Sequence, residues 1–237
     1  MYFKKTIRVL TVICISFFNT SFGQNLDSDQ AVGSDTANNS LYSVADYSEG
    51  FYVTMEDFIN KKKTKLNPVE RREIVGLEKK VINKNSIVDQ VFLYVIADKT
   101  KLTGVFAVSL NGNLYIQQKN FRKYAVKGDK SEEGDNPNSY HRVLKAGKFL
   151  YLEAELANGW SKGLAYGSGG AVGGVIGSSM NRLKGIVFDI NKKEFNILKD
   201  CKDFNEFLSS CQAENVKCEN KKIDIITVRE NINKLIQ

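Results

Sequence analysis

The chain has 237 residues, with 34 Lys and Arg against 27 Asp and Glu and a formal net charge of +7. Its single histidine, His141, excludes metal centres built on two or more histidines. The positive balance suits anionic partners, but the lysines are scattered, and the one dense cluster, KKKTK at 61–65, has no aromatic stacking set beside it, so no nucleic-acid partner is expected.

Lys4, Lys5 and Arg8 precede a ten-residue apolar run over 9–18, and Ser21 and Gly23 place small residues where a signal peptidase needs them. This predicts a leader cleaved after Gly23 and therefore an exported protein: periplasmic, outer-membrane-associated or secreted. The apolar run falls well short of the ~20 residues of a spanning helix. Ile13 is too bulky for the residue before a lipidated cysteine, so Cys14 leaves with the leader. Cleavage removes three positive charges and lowers the net charge to +4. Residues 24–50 carry five acids, no Lys or Arg and few large apolar residues, and read as a disordered polar tether. The remaining residues, 51–237, carry +9 and are enough for one domain.

Thr54 and Asp57 form a capping-box pattern that predicts a short helix over 55–63, with Lys61, Lys62 and Lys63 at its negative end. Pro68 and the apolar positions Val69, Ile74, Leu77 and Val81 suggest a second helix over 67–83. From Val91 the segments VFLYVIA, TGVFAVSL, NLYIQQ and KFLYLEAEL are rich in β-branched and aromatic residues and read as strands. Asn111-Gly112 between two of them supplies the positive φ angles of a tight hairpin. GIVFDI and EFNIL, joined by residues 191–193, make a second hairpin. Asp203 with Glu206 heads a helix over 204–210, and residues 228–236 are periodic. The fold class expected is α+β: an antiparallel sheet or small barrel, short flanking helices and a Gly-rich apolar segment.

Few residues suggest chemistry. His141 as a general base requires an orienting carboxylate, for which Asp135 is the nearest in sequence. The run Tyr166-Gly167-Ser168-Gly169-Gly170 approaches a nucleophile elbow, but Tyr166 stands where that turn needs a small residue. Gly177 is followed by Ser178 and Ser179 and not by the Lys of a phosphate-binding loop, and Val172 replaces the third glycine of a dinucleotide fingerprint, so no nucleotide or other cofactor is expected. Tyr151, Trp160 and Tyr166 are candidates to line a sugar or peptide groove.

After cleavage, three cysteines remain. A continuous helix over 201–211 would hold Cys201 and Cys211 about 15 Å apart, beyond the roughly 7 Å limit of a disulfide. Cys211 with Cys218 is then the expected pair, with Cys201–Cys218 as the alternative.

The uncharged stretch 163–181 admits two readings. As a helix it stacks Gly169, Gly173 and Gly177 on one face with Gly170 and Gly174 beside them, a small-residue pattern that lets backbones approach in a membrane or an oligomer. Six glycines from 167 to 177, each costing about 1 kcal/mol relative to alanine, rule out an independent helix in water. The strands on either side favour close packing within a soluble domain.

The leader ending SFGQN, the polar tether, YVTMEDFIN, LYIQQKNFRKY, the glycine run and DCKDFNEFL together resemble uncharacterised secreted or cell-envelope proteins of Bacteroidota. The resemblance implies a compartment and no active residues. The functional expectation is an exported non-enzymatic protein that binds a protein or envelope partner. The alternatives are a membrane-associating or oligomerising protein using residues 163–181, and an enzyme whose site the sequence does not reveal.

Overall fold

The computed structural model describes residues 47–65, 67–74, 89–167, 180–218 and 222–236, all within one unit, Thr36–Gln237. The leader, the tether up to residue 46 and Gly169, Gly170, Gly173, Gly174 and Gly177 lie outside the described residues.

Strand alternation builds two antiparallel sheets that curl into half-barrels. The first comprises β1 (Gly50–Tyr52), β2 (Val69–Glu73), β3 (Gln90–Val95), β4 (Ala107–Leu110), β5 (Asn113–Gln117) and β7 (Tyr140–Arg142), in the order β1-β4-β5-β7-β3-β2. The second comprises β6 (Glu132–Glu133), β9 (Leu150–Asn158), β10 (Arg182–Asp189) and β11 (Glu194–Leu198), in the order β11-β10-β9-β6, with β8 (Lys145–Ala146) also pairing with β9. Among the described residues, five α-helices complete the α+β fold: α1 (Met55–Ile59), α2 (Lys119–Lys123), α3 (159–167), α4 (Cys201–Ser210) and α5 (Ile225–Ile236).

Both expected hairpins form. Asn111 and Gly112 take φ of 50° and 72° between β4 and β5, the left-handed pair that matches the twist of the flanking strands. Lys193, at φ 60°, helps close the turn between β10 and β11.

The main core lies between the sheets. Leu150, Leu152, Ala154 and Leu156 alternate along β9 and meet Leu114 and Ile116 of β5, Ile186 and Phe188 of β10, and Phe195 of β11. Aromatic rings dominate it: Phe188 and Phe195 are 4.6 Å apart, and Tyr47 stacks on Phe58 at 4.4 Å. Residues 47–50, placed with the tether by composition, thus join the body, since Gly50 also pairs with Ser109. A second core forms where α4 and α5 cover the outer face of β10 and β11 through Phe204, Leu208, Val228 and Ile232. Gly185 permits this approach: a side-chain carbon there would meet Val228 Cγ1 at 3.0 Å and the Tyr151 ring at 3.1 Å.

Three local expectations need correction. Residues 69–73 form strand β2, with Glu70 opposite Tyr94 and Arg72 opposite Phe92, where a helix was expected. The ladder to β3 overrides the helical spacing, and Arg72 lies 4.1 Å over the Tyr94 ring. The Thr54–Asp57 capping box forms, yet α1 ends at Ile59, because residues beyond it turn back so that Thr64 pairs with Phe51. Helix α4 begins at Cys201 because Asp200, and not Asp203, caps it by accepting from Asp203 N at 3.0 Å.

The disulfide is Cys201–Cys218, with Cα atoms 6.0 Å apart, and Cys211 is free, which corrects Cys211–Cys218. The cause is the path of the returning loop. The Asn205 amide holds Val216 by two hydrogen bonds of 2.8 and 3.0 Å, laying the loop along the first half of α4, whereas Cys211 closes the far end of that helix. Peptide mapping without reduction is expected to recover the 201–218 cross-link and one alkylatable thiol at Cys211. Reduction is expected to lower the unfolding free energy by about 3 kcal/mol, read from urea denaturation.

Candidate functional site

His141 sits on β7, facing the main core, and is 1 % exposed. Its Nδ1 lies 3.2 Å from the Glu153 carbonyl oxygen and its Nε2 2.9 Å from Gln118 Oε1. The Phe121 ring meets it edge-on at 5.3 Å. Burial lowers its pKa to about 4, against the hydrogen bond to Glu153, which acts the other way. Both nitrogens are therefore committed to the fold. Asp135 does not orient it and belongs to a different cluster.

That cluster ties α3 to its surroundings. Lys162 pairs with Asp135 and reaches Asn181 Oδ1 at 3.2 Å. Asn181 Nδ2 donates to Asp135 Oδ2 at 2.7 Å, and the Tyr166 hydroxyl donates to Asp135 Oδ1 at 3.3 Å. Nearby on β9, burial, and after it the charge of Asp135, push the Glu155 carboxyl above its ordinary pKa. Of the three aromatic groove candidates, Tyr151 is buried in the second core and donates to Glu153 Oε1 at 2.8 Å, whereas Trp160 and Tyr166 are exposed on α3. They do not share a groove.

A groove does open elsewhere, between α4 and the outer face of β10 and β11, with a volume of about 450 Å3. Asp203, Glu206, Phe207 and Ser210 follow the i, i+3, i+4, i+7 spacing of one helix face and form one wall. Val187 and Asn196, cross-strand partners, and Leu198 supply the sheet side. Lys148, Phe149 and Lys192 also line it, as does the half-buried Cys211 thiol.

Its polar end is preorganised. Asp129 Oδ2 accepts the Ile197 backbone N–H at 2.7 Å, capping the β11 edge, and Oδ1 accepts from Lys199 Nζ at 2.7 Å. Lys199 Nζ also reaches Gly128 O at 3.2 Å and Asp203 Oδ2 at 3.4 Å. Burial raises the Asp203 pKa, and Lys199 opposes that shift. Burial also works against the Lys199 charge, but Asp129, with help from Asp203, outweighs it and the ammonium pKa lies above its ordinary value. The arrangement offers hydrogen-bond donors and acceptors of both charges beside apolar walls. A second, smaller cavity of about 380 Å3 is bordered by Gln118, Phe121, Glu132 and Leu156. Among the described residues, no group of three or more His, Cys, Asp or Glu is placed to hold a metal ion.

Sequence reasoning missed this groove because its walls come from distant segments: the turn at 127–129, the start of β9, the β10–β11 hairpin and α4. The one local signal was Lys199 and Asp203 at i, i+4.

Fold and groove together define an α+β protein of two antiparallel half-barrel sheets with a helix-walled groove on the outer face of the second. Residues 50–223 match a family of unknown function (DUF6563), and the chain belongs to that family. The matched range runs from β1 through both disulfide cysteines and stops just before α5. No curated protein and no solved structure matches the chain.

Proposed function

We propose that this protein is exported and, without catalysing a reaction, holds a segment of another macromolecule in the groove between α4 and the β10–β11 hairpin. The groove carries the reading. It mixes Asn196, Ser210 and Lys192 with Phe207 and Val187, the combination of polar and apolar groups with which a site holds a partner segment. The non-enzymatic part is supported by the burial of His141, whose ring nitrogens both serve the core. Export is supported by the leader pattern, by the resemblance to secreted or envelope proteins of Bacteroidota, and by the Cys201–Cys218 disulfide, which suits an oxidising compartment.

The test is a photo-crosslinking amino acid at Asn196, compared in cells with the same group at Lys202, which is exposed on α4 and does not line the groove. A discrete adduct from position 196 alone is expected, and N-terminal sequencing of the exported chain is expected to begin at Gln24. Equal labelling from both positions, or from neither, would count against the groove.

A further inference from the structure

Helix α3 is built inside out. Its one charged residue, Lys162, points inward with a side chain 4 % exposed, whereas Trp160 is 77 % and Leu164 60 % exposed. Gly163 and Gly167 are also exposed, and positions 160, 163, 164 and 167 share one face at i, i+3, i+4 and i+7. An ordinary surface helix buries Trp and Leu and lets Lys reach water. Here the clasp of Asp135, Asn181, Lys162 and Tyr166 holds the helix in the opposite sense.

We propose that this outward face of α3 seats on the surface of an anionic lipid bilayer, independently of the groove. Composition favours lipid over a protein partner: Trp160 has a polar tip on an apolar ring, the preference of the bilayer interface, and it accompanies one aliphatic residue, Leu164. Charge favours an anionic surface. The clasp neutralises Asp135 by pairing it with Lys162, and the exposed Arg182 follows Asn181 of the clasp directly. The body from residue 51 onward is strongly basic. Among the described residues, no helix is long and apolar enough to cross a membrane.

Trp160 is the only tryptophan of the chain, so its emission reports the contact directly. The full mature protein is titrated with vesicles of equal parts phosphatidylcholine and phosphatidylglycerol, and with phosphatidylcholine alone. A blue shift, protection from acrylamide and co-flotation are expected with the anionic vesicles. Leu164→Asp, at an exposed position, is expected to weaken flotation about tenfold with the thermal transition unchanged, and Arg182→Glu to reduce the preference for anionic lipid. Absence of a shift and of flotation overturns the proposal. So does a shift insensitive to Leu164→Asp, or cross-linking from position 160 to a protein in place of lipid. Each of these results leaves the groove reading standing.

Discussion

Replacing Arg229 with alanine is expected to lower the unfolding free energy by about 3–5 kcal/mol, the range for removing one partner of a buried ion pair. Glu153 lies on β9 with its side chain fully buried, and Arg229 of α5 meets it through two nitrogens, Nε at 2.6 Å and Nη2 at 2.7 Å. The Tyr151 hydroxyl adds a third hydrogen bond at 2.8 Å, and its own pKa is pushed well above the ordinary tyrosine value by burial and then by the Glu153 charge. Without Arg229 the carboxylate is left in a low-dielectric interior with one neutral donor. The pair also anchors α5, which packs tightly over Gly185. Urea denaturation measures the loss, and hydrogen exchange should show α5 opening before the sheets. The double variant Glu153→Gln/Arg229→Met should lose much less than Arg229→Ala, because no buried charge remains uncompensated. Equal losses would mean that packing, and not charge, holds α5.

Acid is expected to weaken the fold through His141 by about 3 kcal/mol in total, spread over the window from pH 6.5 down to about 4. In that window the unfolded chain binds a proton at this residue that the folded chain refuses, so stability falls as the pH falls and is restored as it rises. His141→Gln, which has no ring to titrate, should flatten this part of the stability curve, at the cost of an imperfectly filled site beside Phe121. Glu155 and Asp203, whose carboxyls burial pushes upward from 4.5 and 3.8, act in the opposite sense just above those values, overlapping the same window. The difference between the wild-type and variant curves therefore isolates the histidine. Ring proton resonances that titrate at the ordinary histidine value would overturn the prediction.

Legibility in the sequence followed the range of the forces involved. The Asn111-Gly112 turn was readable because the positive φ angles it requires belong to the residues themselves. The alternation in β9 was readable because apolar side chains recur at every second position, and the Thr54–Asp57 box because both partners lie within one turn. Strand β2 was not readable, since Ile74, Leu77 and Val81 recur at helical spacing after Pro68 and only the ladder to β3 makes 69–73 a strand. Asp203 resembled a helix cap until the nearby Asp200 took that place.

The candidate site depended almost wholly on long-range contacts. His141 stood out as a lone titratable group, but its role rests on Gln118 and the Glu153 carbonyl, which folding brings to its two nitrogens. A disulfide to Cys218 was foreseeable, since helix rise separates Cys201 from Cys211; the choice of Cys201 awaited the Asn205–Val216 hydrogen bonds that steer the loop. Local backbone chemistry and apolar period alone dictated the hairpins, the strand-rich body and the α+β class. Tertiary structure decided which side of α3 meets water, which carboxylate holds Lys199 and where a groove opens, because each depends on groups far apart in the chain that approach only when the second sheet and its covering helices pack.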